Sequence, residues 1–260
     1  MAVPIRKEET NNIIRLSIVN GKLGVKPEVK YNKDGSICKI HPNKKAGVSS
    51  EVYGFTEKEV KAMIDVFDKK IEEAPDENKR WVACRNKMMF LVGVNLSLRV
   101  SDLSGLTYSF FMRENGTFKD HYSLQPKKTK KTKKFVKLYF NEAVKTAITS
   151  YLEDYPMESM DDYLFKSREG DGHLTEVAIG RVIKNTAKEA GIDKNINSHS
   201  LRKTFGSMAY HRAADKNHAL IVLQAIFNHS SPAITSRYIG LTDDEVSDVF
   251  NELNIGLEFL

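Results

Sequence analysis

Five side chains suited to handling a phosphate recur along this chain in a fixed order. Arg99 lies in LSLRVSDLSGL, His199 and Arg202 lie in HSLRKTF, His229 lies in FNHSS, and Tyr238 comes nine positions after that histidine. His199 and Arg202 stand at i and i+3, so a helix over this stretch puts them on one face. Between 127 and 137 there are seven lysines, Lys127, Lys128, Lys130, Lys131, Lys133, Lys134 and Lys137, and no acid. Together these groups fit an attack on a phosphodiester. Guanidinium forks match non-bridging phosphate oxygens bidentately. Donors aimed at a pentavalent transition state are each worth roughly 10²- to 10³-fold in rate. A phenol with a pKa near 10 is a weak nucleophile until cations around it favour the phenolate.

Each group taken alone has a plainer reading. Arg99 and Asp102 suit a surface i,i+3 ion pair worth a few tenths of a kcal/mol. His199 and His229 fit a helix start and a loop. Tyr238 shares a helical face with Ile234 and Leu241, as a core tyrosine does. A lysine block is usually solvated. Their joint order and spacing favour the chemical reading.

Other chemistries find little support. The chain has no GxxxxGK[ST] loop, GxGxxG, HExxH or CxxC pair, and the acids at 243–245 form one local run rather than a separated metal-binding set. His211 and His218 fall in separate expected helices and take no role. Cys38 and Cys84, far apart, suit a reducing compartment rather than a disulfide framework. No apolar signal segment opens the chain, and the longest apolar run, at 88–94, is too short to cross a bilayer. A soluble, cytoplasmic and nucleoid-associated protein is expected, with no membrane partner. The net charge of +6, from 40 Lys and Arg against 34 Asp and Glu, is a weak pointer to a polyanion; the clustered lysines are a better one.

The elements that must position these groups are mostly helical. Residues 1–52 read as a short β-like arm, with turn signals at Asn20-Gly21 and Asp34-Gly35. A capping box at Thr56 and Glu59, with Phe55 stapled onto Val60, starts a helix to about 71. A second spans about 78–96, with Trp81, Cys84, Met88 and Leu91 on its core side. A short helix follows at 99–106. YSFFM, HYSLQP and KFVKLYF read as strands of a small antiparallel sheet, with the lysines at a hairpin tip. Helices resume at 141–155 and 175–190, the latter stopped by Gly191. Two more cover 198–211 and 217–227, closed by Asn228 in a left-handed turn. Ser231 and Pro232 open the helix that carries Tyr238. A capping box at 242–245 opens a last amphipathic helix. The fold class is mainly α with a small antiparallel β-sheet (α+β), with residues 53–260 as one domain.

Over roughly 53–250 the chain resembles the catalytic domain of the tyrosine recombinases, the phage-integrase family. That family's pattern is an Arg in a G-x-R-x-S-E-type segment, a hairpin Lys, an H-x-L-R box, a G-H pair, and a Tyr about nine residues later. The resemblance implies a tyrosine-recombinase-like catalytic domain acting on double-stranded DNA of a mobile element. Tyr238 would form a 3′-phosphotyrosyl link and release a 5′-hydroxyl, keeping the bond energy in that link, so neither a metal nor a nucleotide cofactor would be required. Arg99, Arg202 and His229 would bind the non-bridging oxygens, and His199 would assist proton transfer. Lys128, in QPKKT, would protonate the leaving 5′-oxygen, with Lys127 and Lys130 as alternatives. The resemblance further implies a homotetramer joined through a C-terminal docking helix, and accessory DNA-bending proteins. Ser97, Asp102, Asn228 and Lys137 depart from the family's usual Gly, Glu, Gly and Pro, and none removes a reacting group. Residues 1–52 are too short and too β-leaning for the helical DNA-clamping domain that usually precedes the catalytic one. A DNA-binding regulator on the same fold and a type IB topoisomerase-like enzyme stay open as alternatives.

Overall fold

The computed structural model describes residues 51–127 and 135–240, with the backbone of two short strands before them. The chain divides into two compact units, Met1–Ser49 and Ser50–Leu260. In the first, β1 (Leu16–Val19) pairs antiparallel with β2 (Lys22–Val25), and Val19 faces Lys22. The expected turn residues at 20–21 and 34–35 lie outside the described residues.

In the second unit α1 (Glu57–Glu72) begins at the expected capping box. Thr56 Oγ1 accepts from the Glu59 amide, and the Glu59 carboxylate accepts from the Thr56 amide at 2.7 Å. Phe55 is buried and meets Phe90 edge-on, with ring centroids 5.7 Å apart. α2 (Glu77–Leu96) is started by the Asp76 side chain. Its expected stripe does face the core, and burial extends beyond it. Met88 is buried, but Trp81, Cys84 and Leu91 are half-buried, and Met89, Phe90, Val92 and Val94 are buried as well. The reason is that α1, α5 (Glu142–Asp154) and α7 (His199–Arg212) all pack on α2. The C-terminal half of α2 therefore lies in the centre of the core and keeps no single apolar side.

Residues 108–111 do not form the expected strand. They make one helical turn, α4 (Tyr108–Phe111), just after the short α3 (Val100–Leu103). The strand preference of aromatics reflects their fit to a half-buried pleated surface. Here Tyr108, Phe110 and Phe111 are all buried, which an alternating strand with one wet face does not allow. The sheet thus has two strands, β3 (His121–Leu124) and β4 (Val136–Tyr139), paired antiparallel with Leu124 opposite Val136. Leu138 faces the core while Tyr139 is exposed. The hairpin tip at 128–134, with Lys128 and Lys130, lies outside the described residues.

The remaining helices start and stop where local chemistry predicts. Asn141 caps α5, and Thr175 caps α6 (Glu176–Glu189), after which Gly191 takes a positive φ of 72°. α8 (Lys216–Phe227) and α9 (Pro232–Ile239) follow α7. The core around α2 is the larger one. A second apolar cluster of Leu223, Phe227 and Ile239, flanked by Phe205 and Tyr238, holds α7, α8 and α9 together. The last expected helix, from 242, lies outside the described residues. Among the described residues no helix is long and apolar enough to cross a membrane.

Candidate active site

Two left-handed residues aim the site. α2 ends on Ser97 at φ 56°, ψ 15°, and α8 ends on Asn228 at φ 52°, ψ 47°. These are the positive-φ non-glycine residues of the described chain. Each reverses the backbone after a helix, a conformation that L-residues adopt at a cost and that Asn tolerates best. The first reversal makes Arg99 the N-cap residue of α3. The second places His229, whose amide donates to Gln224 O at 3.0 Å.

Arg202 is buried on α7 and joins both reversals. One Nη donates to Ser97 O, and Nη2 donates to Phe227 O at 2.9 Å. Both carbonyls sit at helix C-termini, where the negative end of the helix dipole favours a cation. The guanidinium also lies 4.5 Å from the Phe227 ring centroid. Burial, with the nearby Arg99 charge opposing a second cation, lowers its pKa to about 10. It therefore stays charged at neutral pH, a buried cation satisfied by carbonyls, with nitrogens left for a phosphate.

His229 and Tyr238 complete the cluster. His229 Nδ1 lies 3.0 Å from Oγ1 of Thr235, which is fully buried. Burial first, and then Arg202 and Arg99, hold its pKa below the usual histidine value, so the ring is neutral at pH 7. Tyr238 meets His229 and Phe227 edge-on, at centroid distances of 5.3 Å and 5.2 Å. Burial raises its pKa, while Arg202 and Arg99 pull the other way. The Arg202 guanidinium is near enough to act on the phenol. Even so, among the described residues no group hydrogen-bonds the buried Tyr238 Oη within ordinary geometry.

The structure thus brings Arg99, Arg202, His229 and Tyr238 into one cluster. His199 is exposed at the start of α7, one turn before Arg202, and its amide donates to Asn197 Oδ1 at 2.8 Å. Lys128 lies outside the described residues. Lys127 is exposed, with its ammonium beside Gly105. Asp102 lies in α3. It is buried, and Oδ1 accepts the Lys127 amide at 2.8 Å, tying the base of the β-hairpin to the Arg99 segment. Ile234, read as an apolar anchor for the Tyr238 helix, is exposed, and Leu241 lies outside the described residues. The anchors are Thr235 and Ile239 instead. Thr235 gave no signal beyond being a hydroxyl residue six positions after His229.

The fold is a tyrosine-recombinase-like catalytic domain. The crystal structure of XerA recombinase superposes with a TM-score of 0.57 at 23% identity, covering 81% of this chain and 66% of that one. XerH site-specific recombinase, in its post-cleavage complex with palindromic difH substrate, gives a TM-score of 0.57 at 19% identity, covering 85% and 58%. In sequence, the probable integrase/recombinase YoeC of Bacillus subtilis is 35% identical over 175 residues, which is 66% of this chain and 88% of YoeC. The tyrosine recombinase XerD of Listeria innocua is 30% identical over 119 residues, and there the match spans only 38% of the relative. The phage integrase family model matches residues 54–245, and the chain belongs to that family.

Proposed function

We propose that this protein is a site-specific DNA recombinase or integrase that cuts and rejoins DNA through a phosphotyrosyl intermediate. The observation that carries the reading is the convergence of Arg99, Arg202 and His229 around the Tyr238 phenol. Tyr238 Oη attacks the scissile phosphorus, the P–O5′ bond breaks, and the protein is left joined to the 3′-phosphate. Arg99, Arg202 and His229 hold the non-bridging oxygens as negative charge builds on them. His199 assists removal of the phenol proton. A hairpin lysine, Lys128 by the family's pattern, delivers a proton to the leaving 5′-oxygen. Rejoining is the reverse, with a 5′-hydroxyl of the exchanging strand displacing Tyr238. The bond energy stays in the phosphotyrosine, so the chain needs no cofactor for the transfer.

The resting geometry supports one further step. Among the described residues the buried Tyr238 Oη has no hydrogen-bond partner within ordinary geometry, and in this reading α9 shifts before the phenol reaches a phosphate. α9 is only eight residues long and ends at Gly240 with φ 76°, which suits a small movement. In this reading residues 53–260 form the catalytic domain, residues 1–52 an accessory arm, and the segment after 240 the contact between protomers of a tetramer. The DNA of a mobile element is the substrate, and accessory DNA-bending proteins are candidate partners.

The test is a pool of nicked duplexes with a randomised core, in which cleavage next to the nick sheds a short fragment and traps the enzyme. Detergent-resistant protein–DNA adducts that converge on one core sequence support a site-specific recombinase. Sequence-specific binding without adducts supports a regulator. Plasmid relaxation without sequence preference supports a topoisomerase-like enzyme.

A further inference from the structure

The residue after Arg202 also reaches the nucleophile. Lys203 Nζ lies 5.6 Å from the centroid of the Tyr238 ring and 3.7 Å from Glu51 Oε1. Its side chain is 12% exposed, so the ammonium is largely withdrawn from water. An ammonium in such a place needs compensation. A separation of 3.7 Å exceeds that of a charge-assisted hydrogen bond, about 2.7–2.9 Å. The charge is therefore shared between the carboxylate and the face of the ring rather than locked to Glu51.

The segment carrying Glu51 is secured without that ion pair. The Tyr53 amide donates to Asn195 O at 3.1 Å, Asn195 Nδ2 donates to Glu51 O at 3.0 Å, and the Phe55 amide donates to the buried Thr204 Oγ1 at 2.7 Å. Gly54 lies so close to α7 that a Cβ on it would stand 2.9 Å from Thr204 N and 3.1 Å from the Lys203 carbonyl carbon. The backbone of residues 51–55 is thus clamped to the turn of α7 that holds Arg202 and Lys203. The Glu51 carboxylate is then free to fix where the Lys203 ammonium sits.

We propose that Lys203, steered by Glu51, is a positioning residue for Tyr238, holding the phenol ring in the cluster and favouring its ionised form. The proposal rests on the reading of Tyr238 as the nucleophile. A cation over the ring is attracted more strongly once the ring carries the phenolate charge, so it assists the deprotonation that attack requires. Among the described residues, the other charged or titratable groups facing the phenol are Arg202 on α7, Arg99 before α3, and His229 in the turn before α9. Lys203 is the member of this set whose placement depends on a carboxylate from the start of the domain.

The experiment uses the full chain with 3-fluorotyrosine at position 238, whose more acidic phenol titrates at a pH the fold tolerates. Its fluorine resonance reports the phenolate directly, without DNA. Lys203→Met keeps the length and apolar stem of the side chain. It should raise the midpoint by about one pH unit, a tenfold shift in the ionisation equilibrium, and Lys203→Arg should restore it. On a nicked duplex recovered from the randomised pool, Lys203→Met should slow adduct formation about tenfold with unchanged DNA affinity. Lys203→Gln gives the same comparison if the Met variant does not fold. An unchanged fluorine midpoint in a folded variant overturns the proposal, even if the cleavage rate falls. Absence of adducts from the wild type would instead defeat the nucleophile reading, while the fluorine titration would still decide whether Lys203 acts on Tyr238.

Discussion

Gly206 offers a direct test of how the helix carrying Tyr238 is held. It sits within α7, where an alanine is ordinarily worth up to about 1 kcal/mol of added helix stability. Here a Cβ would fall 2.7 Å from Phe227 Cζ, 2.9 Å from Phe227 Cε2 and 2.8 Å from Ile239 Cγ2. Phe227 is fully buried and Ile239 nearly so, and neither can move without displacing its neighbours. Overpacking of this kind costs about 1–3 kcal/mol, which outweighs the helix gain over most of that range. With the helix gain subtracted, Gly206→Ala should destabilise the domain by up to about 2 kcal/mol. At about 2–4 °C per kcal/mol for a domain of this size, Tm drops by up to roughly 8 °C. The effect should also reach the site. The Phe227 carbonyl holds Arg202, and its ring abuts both His229 and Tyr238. Thermal melts followed by circular dichroism, together with the nicked-duplex assay, read both consequences. Adduct formation should fall by more than DNA affinity does. A melt at or above the wild-type temperature with unchanged adduct yield would refute the claim that α7, α8 and α9 meet through this contact.

Three other outcomes are expected. Asp102→Ala leaves the Lys127 amide without its acceptor, at a cost of about 1.5–3 kcal/mol for a bond to a charged group, and should slow cleavage more than binding; equal stability by urea titration would show the tether to be idle. Ser97→Gly relieves a left-handed residue and should raise Tm by about 2–4 °C, for up to about 1 kcal/mol gained. His229 has its pKa lowered in the folded state, so the unfolded chain takes up its proton first as the pH falls. Its contribution to stability is therefore complete above the unfolded value of about 6.5 and is lost as the pH drops through the folded one. His229→Gln should flatten that loss, seen as a smaller shift of the urea midpoint between neutral and mildly acidic pH.

What could be read in the sequence was mainly local chemistry. The Thr56–Glu59 box, the left-handed Asn228 and the Ser231-Pro232 start depend on neighbours in the chain, and the structure has them in place. Features set by tertiary contact were less legible. Tyr108–Phe111 carries strand-forming side chains but turns as a helix because it is covered on all sides. Ile234 shares a helical face with Tyr238 yet points to solvent, because the Phe227 cluster takes Ile239 and the buried Thr235 pairs with His229 instead. At the site, residue type and order marked the members of the cluster. Their connections, from Arg202 to two helix-end carbonyls and from Asp102 to the Lys127 amide, span 25 to 105 residues and leave no periodic trace.

Phosphotyrosyl transfer through Tyr238 is tested most directly by mapping the bond itself. Adducts trapped on the nicked-duplex pool are digested with nuclease and protease, and mass spectrometry locates the nucleotide on the peptide. The expected result is a 3′-phosphate esterified to Tyr238, a free 5′-hydroxyl on the released strand, and a Tyr238→Phe protein that binds the same duplex without forming the adduct. A linkage at any other residue, or adducts that persist in Tyr238→Phe, would contradict it.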